Sequence, residues 1–433
     1  MILTAVVVVH LYLWRRLVRA STTPGSRSRR VLTWVLVALA ALMVVTFVGS
    51  RSFGMDVERV VAWPGYLWLA MMFYLFVFGL VMEVPRAVAT FLVSRRRRTT
   101  AVAAGERAEG EAAPVDEVVL AGAAAGGGSP APGTAATGGQ AVEGIGTGAP
   151  AIDRRLFISR TASAVVAAGA LATVGYGVTR ALGDPVIERV PVRLPRLDPR
   201  MSGLRIAVVS DIHLGPLTGR GHTERIVRMI NGLEADAVTI VGDLVDGTVA
   251  ELGRLATPLR SLESRYGAYF VTGNHEYYTA GGPLEWIEEL RSLGVRPLRN
   301  ERVEIRHAGA VLDLAGVNDL NGAPSGDGPD FDRALGGRDA NRPVVLLAHQ
   351  PVQVTQAAAH GVDLQLSGHT HGGQMAPFNL LVTLQQPVVA GLASVPRAGG
   401  GDTQVYVTRG AGFWGPPVRV GAPPEITLVE LRA

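Results

Sequence analysis

Two histidines one residue apart, His369 and His371 in QLSGHTHGGQ, sit among glycines directly after a short apolar run. Four other stretches end in the same manner. LRIAVVSDIHLG delivers Asp211 and His213, DAVTIVGDLVDG delivers Asp243 and Asp246, GAYFVTGNHEYY delivers Asn274 and His275, and PVVLLAHQP delivers His349. Neutral imidazole and carboxylate suit a borderline divalent metal such as Mn, Fe, Zn or Co. The chain has no cysteine, so thiolate ligation and disulfides are excluded. Even seven of these nine groups would be too many for one mononuclear site, whereas two metals sharing one carboxylate solve the count. Ions ~3.5–4 Å apart clamp the attacking and leaving oxygens of an in-line phosphoryl displacement and turn a bridging water into a hydroxide at neutral pH.

The elements that must position these groups follow from the flanking pattern. Each apolar run of four to seven residues, bounded by Gly or Pro, predicts a buried strand. Ile226, Val227, Met229, Ile230 and Leu233 fall at helical spacing between the first two runs and predict a connecting helix. In open α/β sheets the crevice beyond the carboxyl ends of the strands is where sites are built. Glycines at 215, 242, 273, 368, 372 and 373 let the backbone turn there and keep bulk away from the ligands. A lone D-x-H or G-N-H is common by chance, but five blocks carrying five of the nine histidines are not. His222, His307 and His360 lie outside the pattern and are assigned to surface or packing.

The ordered set D-x-H, G-D-x-x-D, G-N-H-E, H and G-H-T-H resembles the calcineurin-like metallophosphoesterase superfamily over essentially all of Gly203 to Ala433. The resemblance implies a four-layer αββα sandwich. It places Asp211, His213 and His371 on a first metal, Asn274, His349 and His369 on a second, and Asp243 as the bridge. It makes His275 a general acid rather than a ligand, and Asp246 the group that orients it. Gly247 stands where many members carry Arg, so a phosphate-binding Arg has to come from elsewhere, with Arg409 the candidate. The tail from Tyr406 to Leu431 resembles membrane-anchored or exported bacterial members, a group that includes UDP-2,3-diacylglucosamine hydrolase-like and cell-wall phosphoesterases. Within it Phe413 and Trp414 either rim a pocket for lipid or sugar or pack a turn.

The first 180 residues have another character. At 433 residues and 48% hydrophobic content the chain is high in apolar residues for a purely soluble protein. All 41 basic residues are Arg, which reads as genome composition, and they cluster beside apolar segments; no nucleic-acid partner is expected. Apolar segments run from Met1 to Trp14, Val31 to Ser50, Val61 to Met82 and Thr161 to Thr179. A spanning helix needs ~20 apolar residues, so the second and third qualify directly, and the first only if Arg15 and Arg16 snorkel. The fourth, rich in Ala and Gly, is either a span or a buried core helix.

The expected organisation is therefore a multi-pass transmembrane helical region over 1–100, a disordered linker over 101–150, a basic flank with the fourth span over 151–182, a Pro-punctuated stalk over 183–202, and the catalytic domain over 203–433. Arg15, Arg16, Arg19, Arg27, Arg29 and Arg30 put the first loop inside, and Arg95 to Arg98 and Arg154, Arg155 and Arg160 do the same for the linker, leaving the domain outside the cell. RRLFISR, from Arg154, resembles a twin-arginine export signal and is equally an ordinary positive-inside flank. The leading expectation is a membrane-anchored, two-metal phosphoesterase cleaving a phosphodiester or pyrophosphate in a lipid- or envelope-linked substrate. The alternatives are a broad extracytoplasmic phosphomonoesterase and a metal-binding membrane sensor without catalysis.

Overall fold

The computed structural model describes residues 2–49, 55–109, 154–279 and 281–433. Four helices come first: α1 (Ile2–Leu13), extended by a π-helical stretch to Arg19, α2 (Arg27–Gly49), α3 (Met55–Glu109) and α4 (Arg154–Leu182). Three segments, Arg27–Phe47, Val57–Ala89 and Leu156–Leu182, are long and apolar enough to cross a membrane. The short first segment is not among them, whereas the Ala-rich fourth is: it lies along α3 and leaves Val165, Leu171 and Tyr176 exposed, unlike a core helix. α2 and α3 approach closely, because a Cβ at Gly65 would stand 1.9 Å from Thr46 Oγ1. The linker expected at 101–150 is helical to Glu109, and the remainder lies outside the described residues.

The two ends of this bundle differ. At one end Arg16 pairs with Glu83 at 2.7 Å and Arg160 Nε donates to Ser21 O at 3.1 Å. At the other, Arg59 Nε donates to Pro216 O at 3.0 Å, and the Arg419 amide donates to Gly177 O at 2.9 Å. Gly177 is required there: a Cβ would lie 2.5 Å from Val418 Cγ1. The α/β domain thus docks directly on one end of the helices.

In chain order that domain contains β1 (Val186–Arg193), β2 (Arg205–Val209), α5 (Arg220–Asn231), β3 (Ala237–Val241), α6 (Val249–Ala256), β4 (Ala268–Val271), α7 (Leu284–Ser292), β5 (Val295–Pro297), β6 (Glu301–His307) and β7 (Ala310–Gly316). It continues with α8 (Phe331–Leu335), β8 (Val344–Leu347), α9 (Val354–Ala359), β9 (Leu364–Ser367), α10 (Asn379–Val382), β10 (Gly391–Pro396), β11 (Asp402–Val407) and β12 (Glu425–Arg432). Two six-stranded sheets form, ordered β1-β12-β2-β3-β4-β5 and β10-β11-β9-β8-β7-β6.

Strand periodicity builds the layers. On β2, Ile206 and Val208 enter the core between the sheets, where they meet Leu314, Leu347 and Leu366, while Ala207 and Val209 face Ile226, Ile230 and Trp286 of the outer helices. The second sheet is covered by Phe331, Leu335 and Ala357 of α8 and α9. Each fully buried Val, Leu or Ile contributes ~1.5–3 kcal/mol over exposure, so a charge at Val208 would break the sandwich at its centre. The four-layer αββα arrangement is the one expected.

The stalk expected at 183–202 is not one. β1 pairs in parallel with β12 along its whole length, from Val186 opposite Glu425 to Arg193 opposite Arg432, and Leu194, Leu197 and Met201 are buried. Pro191 is tolerated because β1 is an edge strand, where one side needs no donor. The α/β domain therefore begins at Val186, only a few residues after α4.

Candidate metal centre

All nine polar residues that the sequence placed at strand ends converge on one side of the two sheets. Asp211 and His213 follow β2, Asp243 and Asp246 follow β3, Asn274 and His275 follow β4, His349 follows β8, and His369 and His371 follow β9. The chain must turn sharply to do this. Asp211, His213, Asp243, His369 and His371 all have φ between 48° and 72°, a left-handed conformation costly for residues with a Cβ. Five such residues in one site indicate that the surrounding packing holds them there.

Three groups of side chains bring ligand atoms within 4.8 Å of one another: Asp211, His213 and His371; Asp243, His349 and His369; and His213, Asp243 and His275. Asp243 belongs to two of them. His371 Nε2 lies 3.3 Å from Asp211 Oδ1 and 3.0 Å from His213 Nε2. On the other side, His349 Nε2 lies 3.2 Å from Asp243 Oδ2 and from Asn274 Oδ1, and His369 Nδ1 is 2.8 Å from the same Asn274 oxygen.

The donor set fits divalent cations. His349 Nδ1 lies 2.8 Å from Val241 O and His213 Nδ1 lies 2.7 Å from Asp246 Oδ1, which orients each ring and turns its Nε2 toward the cluster. Buried oxygens and imidazole nitrogens then converge with little water to solvate them, and cations are what relieves such a cluster. Burial and the His349 charge push His369 down to about 3, keeping its ring neutral. Burial works against the charge of Asp243 as well, but His349, His275 and His213 outweigh it and hold the carboxyl well below its usual range.

His275 has Asp246 as a separate partner. Its Nδ1 lies 2.8 Å from Asp246 Oδ1, the oxygen that also meets His213. Burial disfavours the charged ring, but the bond to Asp246 and the charges of Asp246, Asp243 and Glu276 raise it to about 9. Two exposed aromatic rings flank it: Tyr278 with centroids 5.0 Å apart and Trp414 at 6.2 Å. The Gly/aromatic loop therefore divides its roles. Phe413 is buried as a packed turn, and Trp414 lies at the rim.

Two expectations about spacing resolve differently. A Cβ at Gly368 would stand 1.9 Å from Ser210 Oγ and 2.4 Å from Asp211 Oδ2, so this glycine makes room for a ligand. Arg409, in contrast, is engaged away from the site: Nη2 meets Glu188 and Nε meets buried Glu425, each at 2.6 Å. It offers no free fork for phosphate. Among the three histidines left aside, His222 is buried beside Arg225, His307 bonds Tyr266 and His360 stacks on Phe331, all away from the metal groups.

Three residues outside the expected set complete the support. Buried Glu276 accepts from the amides of Gly273, Leu244 and Asp243 at 2.6, 2.8 and 3.1 Å, and burial with the Asp243 charge raises it to about 7. Ser210 Oγ donates to Asp211 Oδ2 at 2.5 Å. Arg419, fully buried, donates to the carbonyls of His371 at 2.8 Å and Arg409 at 2.9 Å and lies 3.1 Å from His371 Nδ1. Glu276 was available in G-N-H-E; nothing in PPVRVG marks Arg419 as buried.

Comparison with known proteins agrees with this geometry. The calcineurin-like phosphoesterase profile matches residues 204–373. A transmembrane protein with metallophosphoesterase domain from Bos taurus is 42% identical over 64% of this chain and 64% of its own length. Uncharacterized metallophosphoesterases from Helicobacter pylori and Aquifex aeolicus are 41% and 33% identical, over 60% and 57% of this chain and 68% and 91% of their own lengths. The chain spans just under two thirds of the vertebrate relatives it matches, 60% to 64% of their lengths. With the profile, the relatives and the convergent ligands in agreement, the chain belongs to the calcineurin-like metallophosphoesterase family.

Proposed function

We propose that this protein is a membrane-tethered phosphoesterase that hydrolyses a phosphodiester or pyrophosphate bond in a lipid- or envelope-linked substrate, working on the extracytoplasmic face. Asp211, His213 and His371 would hold one divalent ion, Asn274, His349 and His369 a second, with Asp243 shared. Bound there, Mn, Fe or Zn would polarise the phosphoryl oxygens and activate water.

The observation that carries this reading is the Asp246–His275 pair at 2.8 Å. Asp246 accepts from Nδ1, so the ring keeps its other nitrogen for the leaving oxygen, to which it gives a proton as the ester bond breaks. A site that only binds metal has no use for such a pair, which weighs against a sensor. Trp414 and Tyr278 beside His275 offer apolar faces to the leaving group.

The orientation rests on charge. Arg16 and Arg160 gather at the bundle end opposite the α/β domain, and positive ends stay inside. A reporter fused after Ala433 is expected to be active outside the cell. Replacing Arg154 and Arg155 by Lys is expected to block export if these residues act as a twin-arginine signal. With Mn²⁺, the full chain should turn over bis-p-nitrophenyl phosphate in preference to the monoester. Preference for the monoester would replace this reading with a phosphomonoesterase, and turnover of neither would replace it with the sensor.

A further inference from the structure

The stretch from Gly372 to Pro396 contains no charged residue, although it begins directly after a metal-site histidine. Part of it is turned outward. Phe378, Leu380, Leu381 and Leu384 are 46%, 65%, 55% and 80% exposed, on α10, its N-cap and the turn that follows it. A contiguous exposed patch of this kind needs a non-aqueous neighbour.

Its surroundings say which neighbour. The Phe378 ring meets Phe73 of α3 edge-on, with centroids 6.5 Å apart. Met375, Val418 and Val420 pack into the same cluster as Met72 and Leu75 of α3 and Val174 of α4. The patch therefore continues the surface of helices that are apolar enough to span a bilayer. The apolar segment Val57–Ala89 of α3, at ~1.5 Å per residue, is long enough to cross a hydrocarbon layer ~30 Å thick. Phe73 is at the middle of that segment, well away from either end.

The excursion is also tied to the ligands. Thr370, between His369 and His371, donates through Oγ1 to Val389 O at 2.6 Å, and the Val352 amide donates to Gln386 Oε1 at 3.0 Å. The Ala376 amide donates to Val420 O at 2.9 Å. These bonds close the base of the excursion on the metal loop and leave its apolar tip projecting.

We propose that Phe378–Leu384 is a wedge inserted into the hydrocarbon of the leaflet that α3 enters on the domain side, setting the metal centre at the headgroup plane so that it takes the phosphoester of an amphiphile from the bilayer. The insertion stands on geometry alone, and the choice of amphiphile rests on the phosphoesterase reading above. Interfacial elements of this kind sit ~5–10 Å deep with their apolar face in the acyl chains.

The absence of cysteine makes the test clean. Leu381→Cys and Leu384→Cys, each labelled with bimane in the full chain and reconstituted in phosphatidylcholine/phosphatidylglycerol vesicles, are compared with Asp332→Cys, whose side chain is 96% exposed on α8. The wedge labels should be quenched by acyl-brominated lipid and spared by iodide, and the Asp332 label the reverse. Quenching by iodide alone would overturn insertion, as would shielding from both quenchers, which would mean that protein covers the patch.

A second arm uses Leu380→Ser/Leu381→Ser/Leu384→Ser. Hydrolysis of a vesicle-borne dioleoylglycerol p-nitrophenyl phosphodiester should fall roughly tenfold or more, because surface delivery is lost, while bis-p-nitrophenyl phosphate turnover is unchanged. Undiminished lipid hydrolysis would overturn the delivery role. If the unmodified chain hydrolyses neither substrate, the phosphoesterase reading fails while the quenching data still decide insertion.

Discussion

Two loops four residues apart depart from the rules of a water-soluble surface in opposite directions. Gly368–Gly373 draws His369 and His371 toward buried Asp211 and Asp243, whereas Phe378–Leu384 exposes four large apolar side chains. On the readings proposed above, each departure is offset by a particular neighbour: divalent cations for the first, acyl chains for the second. The strain falls on the first alone, where backbone dihedrals at both histidines are left-handed. Expected to be costly in isolation, each loop is informative because of what must offset it.

The largest effect should come from His275, the general acid proposed above. His275→Ala is expected to lower kcat by about 10²–10⁴-fold on a diester with an alkoxide leaving group, and much less with p-nitrophenolate, which leaves without a proton. Metal content should be unchanged. An equal loss on both substrates would make His275 a structural residue.

His222 supplies a buried histidine without a metal neighbour for contrast. Burial, then the nearby Arg225, lowers it to about 4. The unfolded chain takes up this proton below about 6.5 and the folded one only near 4, so the stability is complete above 6.5 and is lost as pH falls through that window. At ~1.4 kcal/mol per unit the loss approaches about 3 kcal/mol at pH 4. Denaturant midpoints measured against pH should show this fall, and His222→Gln should flatten it.

Gly368→Ala tests the crowding of the polar loop. The clash with Ser210 and Asp211 should destabilise the domain by about 1–3 kcal/mol, read as a lower Tm, and reduce metal content. Gly177→Val probes the apolar side: it should loosen α4 from Val418 at a cost of about 1–2 kcal/mol, with metal content kept. If Gly177→Val lowered metal content as much as Gly368→Ala, the two regions would be one coupled unit.

The polar loop was legible in the sequence because strand periodicity is local. LRIAVV and DLQLS announce buried strands, and the Asp and His residues just beyond them have one place to go. Elements set by distant pairing were not. β1 is a strand only because β12, more than two hundred residues later, lies beside it, so its Pro-punctuated sequence reads as a tether. Arg419 and Arg409 show the same limit: equally basic in sequence, one is buried behind His371 and the other held by Glu188 and Glu425. The exposure of the apolar side chains from Leu380 to Leu384 shows only in the structure.

The most direct test is metal stoichiometry in the purified full chain, with diesterase activity measured on the same samples. Two divalent ions per chain are expected, falling by about one in His371→Ala and in His349→Ala, with activity lost in both and on chelation. A fully active chain holding one ion or none would contradict the two-metal account.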